Sequence, residues 1–318
     1  MKQTVAHAAA ERAVGSVANQ FLKEVRRHKW LYLMVLPGIL YFAVFKYVPM
    51  LGIAIAFKDY QPFAGFLDSP WVGLKHFERF FSNDDFPILL RNTLIIAIYK
   101  LLFYFPVPIV LALLLNEVRI KLFKRVVQTI LYVPHFFSWL VIVGMTYMLL
   151  TTEGGLINQM VQSAGAEPIN FLGTETWIRT LLTSQNIWKE AGWGTILYLA
   201  SMSAIDPQLY EAARMDGAGR FRLMWHITLP CIRSTIVILL ILQLGHMLDL
   251  GFEQIFNMLN PGNRLYAEVF DTYVYTAGIT QGQFSYSTAV GLFKSLVGLV
   301  LVLLANAAAR RLGEEGVF

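Results

Sequence analysis

Four polar side chains recur along one apolar stretch of the sequence, at a spacing that could line a water-filled path. They are Gln243, His246, Asp249 and Glu253, which follow one another at intervals of three, three and four residues. Such intervals place side chains on roughly one face of a helix. We interpret this stripe as a hydrated surface that guides a substrate, and interhelical hydrogen bonding is the alternative.

Lysines also fall within apolar stretches, where an ionisable group is costly and is first considered functional. They are Lys46, Lys100, Lys189 and Lys294. Each lies towards the predicted outer end of its stretch, so we expect its ammonium group to snorkel to the lipid headgroups. Alternatively, several face a central cavity and favour an anionic substrate such as an acidic oligosaccharide. Lys46 and Lys100 are retained as candidates for the substrate pathway.

Other chemistries find no support in the residue pattern. No HExxH or paired Cys/His spacing accompanies His246, so no metal site is predicted. No GxSxG sequence marks a catalytic nucleophile, and the single cysteine, Cys231, can form no disulfide within the chain. No GxxxxGK[ST] phosphate-binding sequence is present. We therefore expect no catalytic residue and no cofactor in this chain.

The composition describes the elements that must position these residues. The chain has 318 residues, of which 56% are apolar and 15% charged, against about 25% charged residues in soluble domains. Its mean hydropathy is +0.52. These values predict an all-α, multi-pass membrane protein. The net charge of +5 does not imply nucleic acid, because the inner loops of membrane proteins hold excess Lys and Arg.

Six segments have the length of roughly 20 apolar residues that a membrane-spanning helix needs. They are 31–57, 93–115, 127–150, 178–205, 232–256 and 287–309. Of the Lys and Arg residues that lie outside these spans or in their first two positions, sixteen fall on one side and six on the other, which predicts that both termini are cytoplasmic. The third span carries no charged residue and is the clearest, whereas prolines predict kinks in the first two.

The chain is accordingly divided into three parts. Residues 1–30 form a cytoplasmic segment whose apolar positions recur at helical spacing, so it is predicted to be an amphipathic helix on the inner membrane surface. A disordered tail is the alternative. Residues 31–309 form the six-helix domain, and 310–318 a cytoplasmic tail. No cleavable signal peptide is apparent.

The inner loop 206–230 has explicit local signals for two short helices. Asp206 is a good N-cap, Pro207 suits the first helical position, and Gly217 suits the end of a helix of about ten residues. Gly219 then opens a second helix. On the first helix, one face is formed by Leu209, Ala212, Ala213 and Asp216. Small side chains at its centre suit a cleft on a partner protein, and a helix lying on lipid headgroups is the alternative.

This loop resembles the EAA loop of ABC-importer permeases. The matching positions, at the family spacing, are Glu211, Ala212, Ala213, Gly217, Ile227, Leu229 and Pro230. The resemblance implies a type I importer fold and a loop that transmits closure of an ATPase to the membrane domain. It further implies that Glu211 makes a charged contact with the ATPase and that Gly217 permits the turn between the two helices. Asp216, on the same helix, is included in the predicted coupling site.

Further stretches resemble sugar-importer permeases, in particular the lipoprotein-linked polysaccharide branch. They include Phe57–Tyr60, Trp71–Leu74, Asn186–Trp188 and Ser285–Phe293. The resemblance implies import of an oligosaccharide across a bacterial cell membrane. The implied partners are a second, paralogous permease, two ATPase subunits that carry the ATP and Mg²⁺, a lipid-anchored solute-binding protein and membrane lipids.

Two other functions stay open at this point. An ion-driven secondary transporter would need no ATPase and often shows inverted repeats or broken half-helices. A scaffold or sensor subunit would dock the same partners but move no substrate. Only the secondary transporter would continue uptake when ATP is depleted and the ion gradients are kept constant.

Overall fold

The computed structural model describes residues 27–311, and that range is helical throughout apart from turns and loops. It contains no β-strand, and one isolated bridge joins Lys58 to Trp71. The chain divides into two compact units, residues 1–55 and 56–318. The predicted amphipathic helix at 1–30 and the tail at 310–318 fall almost entirely outside the described residues.

The first unit is built on one apolar helical segment, Lys29–Phe57, which is 29 residues long and continues two residues into the second unit. It consists of helix α1 (Lys29–Phe42), a π-helical turn (Ala43–Tyr47), helix α2 (Val48–Met50) and a 3₁₀ stretch (Leu51–Phe57). Apolar side chains are exposed along most of its length. This segment coincides with the first predicted span.

The second unit holds the remaining helices. In chain order they are α3 (Gly65–Asp68), α4 (Lys75–Phe81), α5 (Asp85–Tyr99), α6 (Pro106–Glu117), α7 (Lys121–Tyr132), α8 (Trp139–Leu150), α9 (Leu156–Ser163), α10 (Glu175–Ser203), α11 (Pro207–Met215), α12 (Arg220–Leu223), α13 (Leu229–Cys231), α14 (Arg233–Gly245), α15 (Phe252–Met258), α16 (Arg264–Ala267), α17 (Phe270–Tyr275) and α18 (Phe284–Arg311). Shorter stretches are π-helical at Lys100–Tyr104, Met224–Thr228 and Thr276–Thr280 and 3₁₀ at Val133–Phe136.

Within the described residues, three helices are long and apolar enough to cross a membrane, or up to five segments if each bent pair is one span. The three are Lys29–Phe57, Asp85–Glu117 and Phe284–Arg311. The bent pairs are Lys121–Phe136 with Trp139–Leu150 and Arg220–Cys231 with Arg233–Gly245. Helix α10 matches the predicted span 178–205 in length, but Lys189 and Glu190 near its middle make it more polar.

Two predicted spans are not single straight helices. The stretch 127–150 belongs to a pair, Lys121–Phe136 and Trp139–Leu150, bent by 99°. Ser138 caps the second helix by accepting a hydrogen bond from Val141 N. The stretch 232–256 was also predicted as one helix, but α14 ends at Gly245 and α15 begins only at Phe252. Hydropathy alone does not reveal these breaks, because apolar residues predominate in both stretches.

Three π-helical turns each end two residues before a proline. Val48, Phe105 and Leu229 immediately precede prolines, and each donates its backbone N–H to the carbonyl five residues earlier. A proline has no N–H and clashes with the preceding turn of an α-helix. The wider turn accommodates the ring, so these prolines distort the helices without ending them.

Three clusters of buried apolar side chains hold the second unit together. One, around Ile178, Leu182 and Ile255, joins α10 to α15. Another, around Phe80 and Phe270, packs α4 and α17 against α18. A third, around Tyr198 and Ile232, packs α6, α10 and the start of α14 just above the loop 206–230. These clusters fix the elements on which the candidate site residues lie.

Candidate coupling loop and polar pathway

The loop 206–230 begins as its local sequence predicts. Asp206 caps α11 by accepting a hydrogen bond from Gln208 N at 2.9 Å, and Pro207 occupies the first helical turn. The helix ends at Met215, and Gly217 follows with a φ of +78°. Only glycine adopts that conformation without strain. The predicted caps and turn are therefore confirmed.

Contacts within the loop fold the two short helices back on each other. The N–H of Ala218 donates to the carbonyl of Ala213 at 2.9 Å. The hydroxyl of Tyr210 lies 3.0 Å from that of Thr228, which is buried in the π-helical turn before Pro230. Leu223 is buried as well. These contacts thus attach α11 to the π-helical turn Met224–Thr228.

The outer face of this loop exposes four large apolar side chains among charged ones. Met215 and Phe221 are 88% and 82% exposed, and Leu209 and Trp225 are also exposed. Of the predicted coupling residues, Glu211, Ala212, Asp216, Gly217 and Pro230 are exposed, whereas Ala213, Ile227 and Leu229 are half-buried. An exposed apolar patch of this kind marks an interaction surface.

A cleft of about 410 Å³ lies between the loop and the end of α6. Three arginines line it, namely Arg119, Arg214 and Arg220, together with Glu117 and Tyr210. The cleft is more basic than acidic, and it borders the helix that carries Glu211.

The predicted polar stripe does not lie on one continuous helix. Gln243 is on α14, His246 and Asp249 are in the break 246–251, and Glu253 is on α15. The break contains Gly251 with a φ of +87°, so the periodic spacing does not carry across it. The prediction of a common helical face for all four residues is therefore wrong.

Two members of the stripe nevertheless meet in one cavity. Gln243 and His246 line a space of about 200 Å³ between α6, α10 and α14, together with Tyr104 and Tyr198. The walls are otherwise mostly apolar. Glu253 is exposed at the start of α15 and does not line it.

Lys100 does not snorkel to a lipid surface. Its side chain is buried, and its ammonium group donates to the carbonyl of Leu250 at 2.6 Å and lies 3.4 Å from the amide oxygen of Gln254. Gln254 continues the network to Gln185 at 3.0 Å, and Gln185 donates to Thr146 at 2.7 Å. Lys100 thus stabilises the break 246–251, because it donates a hydrogen bond to a backbone carbonyl that has no helical partner there.

Lys189 is likewise buried and not directed at headgroups. Its ammonium group donates to the carbonyls of His135 and Phe137 at 2.5 and 2.8 Å, at the bend between α7 and α8. Glu190 contacts His135 at 2.8 Å, and the ring of His135 stacks on Trp193 at 4.4 Å. Lys46 differs, because it is exposed on the apolar segment of the first unit.

Lys294 joins a cluster of charged residues that the sequence did not reveal. Its ammonium group contacts Asp249, from the break 246–251, and Asp271, from α17. His246 lies 3.3 Å from Asp249. Asp271 was not among the predicted site residues, although an acidic partner for an intramembrane lysine is expected on physical grounds. We refer to His246, Asp249, Asp271 and Lys294 as the Lys294 cluster.

No group of three or more His, Cys, Asp and Glu side chains that could hold a metal ion occurs in the part of the chain that the structure describes. The charged clusters there are instead ion pairs.

A family profile described as "binding-protein-dependent transport system inner membrane component" matches residues 104–314. The chain belongs to that family. The match spans both bent pairs, the loop 206–230 and the Lys294 cluster, so all of the site except Lys46 and Lys100 lies inside it. The protein is therefore a membrane component of an ABC transport system, which contradicts the ion-driven alternative.

Similar proteins cover nearly the whole chain. The polygalacturonan/rhamnogalacturonan transport system permease protein YteP of Bacillus subtilis (strain 168) is 61% identical over 94% of this chain and 93% of the relative. Protein LplB of the same strain is 56% identical over 94% of each. These identities place the permease in the carbohydrate group of the family, as the resemblance of the outer stretches implied.

The fold also matches a solved structure. A bacterial alginate ABC transporter, crystallised with an alginate pentasaccharide-bound periplasmic protein, contains a chain that superposes with a TM-score of 0.85. The sequences are 41% identical, and the match covers 93% of this permease and 99% of that chain. The type I ABC permease fold is thereby supported.

Proposed function

We propose that this permease forms half of the membrane pathway of an oligosaccharide importer and couples that pathway to an ATPase through the loop 206–230. The observation that carries the proposal is the short helix α11, capped by Asp206 and Gly217, which exposes Leu209 and Met215 in a chain 61% identical to a polysaccharide-system permease. A nine-residue helix is too short to be stable alone in water, so a docking partner suits it.

The proposed topology has six spans with both termini in the cytoplasm. The apolar segment Lys29–Phe57, the helix Asp85–Glu117, the bent pair Lys121–Phe136 and Trp139–Leu150, α10, α14 with the break that follows it, and Phe284–Arg311 would supply them. The domain would run from 31 to 309, preceded by a cytoplasmic amphipathic segment at 1–30 and followed by a cytoplasmic tail at 310–318. The excess of Lys and Arg on the loops assigned to the inside supports this orientation.

The proposed partners are a second, paralogous permease, two ATPase subunits and a solute-binding protein anchored to the membrane by a lipid. ATP and Mg²⁺ would be bound by the ATPase subunits. Glu211 would contact the ATPase, with Ala212, Ala213 and Asp216 fitting its groove. Gly217 would allow the turn, and Ile227, Leu229 and Pro230 would connect the loop to α14.

In the proposed mechanism, closure of the two ATPase subunits displaces α11 and its copy in the partner permease. The contact between Tyr210 and Thr228, 3.0 Å long, passes this displacement to the base of α14. The upper end of α14 carries Gln243 and leads into the break with His246 and Asp249. Movement of α14 would therefore reshape the cavity and open it alternately to the two sides. Gln243, His246, Asp249, Glu253, Lys46 and Lys100 remain the proposed pathway residues, with Lys100 bracing the break.

The test is uptake by the reconstituted complex. The chain, its partner permease, the ATPase and the binding protein are placed in proteoliposomes, and ATP-dependent accumulation of radiolabelled trigalacturonate is measured. We expect accumulation that stops without ATP or without the binding protein. A complex that assembles and hydrolyses ATP but accumulates no oligosaccharide would favour the scaffold alternative.

A further inference from the structure

The Lys294 cluster contains two acidic partners for one lysine, and they differ in their surroundings. The Asp271 side chain is 24% exposed, the Lys294 side chain 12%, and the Asp249 side chain 58%. A half-exposed ion pair contributes little to stability, because water competes for both charges. Removing one partner of a buried ion pair is strongly destabilising, because the other charge is then left buried without a partner. Asp271 is thus the fixed partner of Lys294, and Asp249 is the partner that can be exchanged.

The backbone around Asp249 is suited to such an exchange. Asp249 lies in the break between α14 and α15, whereas Asp271 and Lys294 lie on regular helices. His246, in the same break, contacts Asp249 on one side and lines the 200 Å³ cavity on the other. The charged row therefore runs from that cavity to Lys294.

A shallow, open depression adjoins the other end of the row. Asp271 lines this space of about 320 Å³ together with Phe252, Tyr275 and Gly278. The rings of Phe252 and Tyr275 lie 5.0 Å apart. Aromatic faces offer a stacking surface for the apolar face of a pyranose ring.

We propose that Lys294 is a specificity-determining residue of the permease and that its ligand is a uronate, a sugar ring that carries a carboxylate. The carboxylate of one uronate unit takes the place of Asp249 on Lys294, while its ring stacks on Phe252 or Tyr275. A neutral sugar has no carboxylate. If it displaced Asp249, Lys294 would lose one acidic partner and gain none. This inference rests on the proposed oligosaccharide function and names its substrate class.

The experiment compares two chemically matched sugars in the reconstituted complex, trigalacturonate and its methyl ester. Every assay uses the same binding protein, so its own preference cancels when each variant is compared with the unmodified complex. The rates of the Lys294 variants are compared at saturating sugar. We expect Lys294→Gln to lower uptake of the acid at least about tenfold more than uptake of the ester, the loss typical of one hydrogen bond to a charged group. Lys294→Arg should retain the preference for the acid over the ester.

Asp249→Asn supplies a second and independent measurement. This variant keeps the pair between Lys294 and Asp271, and it frees the lysine for the substrate, so the acid should reach half-maximal uptake at a lower concentration. Lys75→Gln serves as the matched control, because Lys75 pairs with Asp59 at 3.6 Å in an exposed position. This control should alter the uptake of neither sugar.

The outcomes separate this inference from the proposed function. Equal losses of acid and ester uptake in Lys294→Gln, with normal membrane insertion, would show that the lysine is only structural. If Lys294→Gln does not insert, the Asp249→Asn variant decides instead. A concentration of trigalacturonate for half-maximal uptake equal to that of the unmodified complex would then overturn the inference. Absence of uptake of either sugar by the unmodified complex would contradict the proposed function itself.

Discussion

The ammonium group of Lys189, on α10, donates a hydrogen bond to the carbonyl oxygen of Phe137 at 2.8 Å, at the point where α7 and α8 meet at 99°. A bend of that size leaves carbonyl groups without partners inside the helix, and an unpaired carbonyl is costly where water is absent. The lysine therefore stabilises the bend from a neighbouring helix.

We expect Lys189→Met to loosen this bend. The variant keeps much of the side-chain volume but removes the hydrogen bonds to His135 and Phe137, at a cost of about 1–3 kcal/mol. Thermal unfolding of the detergent-purified complex should show a lower Tm. Lys46→Met is the control, because Lys46 is exposed and its loss should leave the Tm unchanged. Equal Tm values for the two variants would contradict this role of Lys189.

Gly192 lies where α10 and α7 approach each other closely. A Cβ at this position would overlap the carbonyl group of Leu131. We expect Gly192→Ala to push the helices apart and to reduce the folded yield severely, by the mechanism of core overpacking, which costs about 1–3 kcal/mol or more. Yield and monodispersity after gel filtration measure this effect. Gly144→Ala, in a helix with nothing within 4 Å of the added Cβ, should behave as the unmodified chain does.

Reversal of the charge at Glu211 should uncouple the transporter. We expect Glu211→Lys to insert normally but to lower ATP-driven uptake at least about tenfold, since loss of one partner of an interfacial charge pair costs ~2 kcal/mol or more. Uptake and ATP hydrolysis are measured in the same proteoliposomes. Lys121→Glu, an exposed charge reversal at the start of α7, is the control. Uptake by Glu211→Lys at the rate of this control would refute the assigned contact.

The turn after α11 offers a matched pair of glycines. Gly217 has a φ of +78°, Gly219 has a φ of −74°, and neither would meet another atom through an added Cβ. A side chain at Gly217 therefore adds only backbone strain, about 1–2 kcal/mol. We expect Gly217→Ser to slow ATP-driven uptake. Gly219→Ser should have no such effect, because serine is a good N-cap at that position. Equal rates for both variants would exclude a role for the turn geometry.

The loop 206–230 was predictable because its structure is local. Asp206, Pro207 and Gly217 act on their own backbone or on that of near neighbours, so their residue types suffice to indicate a start, a first turn and an end. The sequence also contains the resemblance to the EAA loop, which led to the ABC-importer permeases, and the resemblance of the outer stretches, which led to their carbohydrate group.

The breaks in the helices and the partners of the lysines were not predictable in the same way. Leu248 and Leu250 keep the stretch after Gly245 apolar, and both side chains are buried. Hydropathy therefore extends the span, although Gly245 and Gly251 frame the break. Lys100 contacts Leu250 from 150 positions earlier in the chain. Such tertiary partners, like Asp271 for Lys294, do not follow from the spacing of residues along one helix.

The π-helical turns before Pro49, Pro106 and Pro230 change how helical-wheel projections of these helices must be drawn. Each such turn holds an extra residue, and one residue corresponds to a rotation of about 100° in an α-helix. The stripe of side chains on one side of the helix therefore restarts with a new phase after Tyr47, Tyr104 and Thr228. A wheel drawn through Asp85–Glu117 as a uniform helix would assign the second half to the wrong azimuth. Two wheels, joined at the turn, are needed to choose positions for labelling the lipid-facing surface.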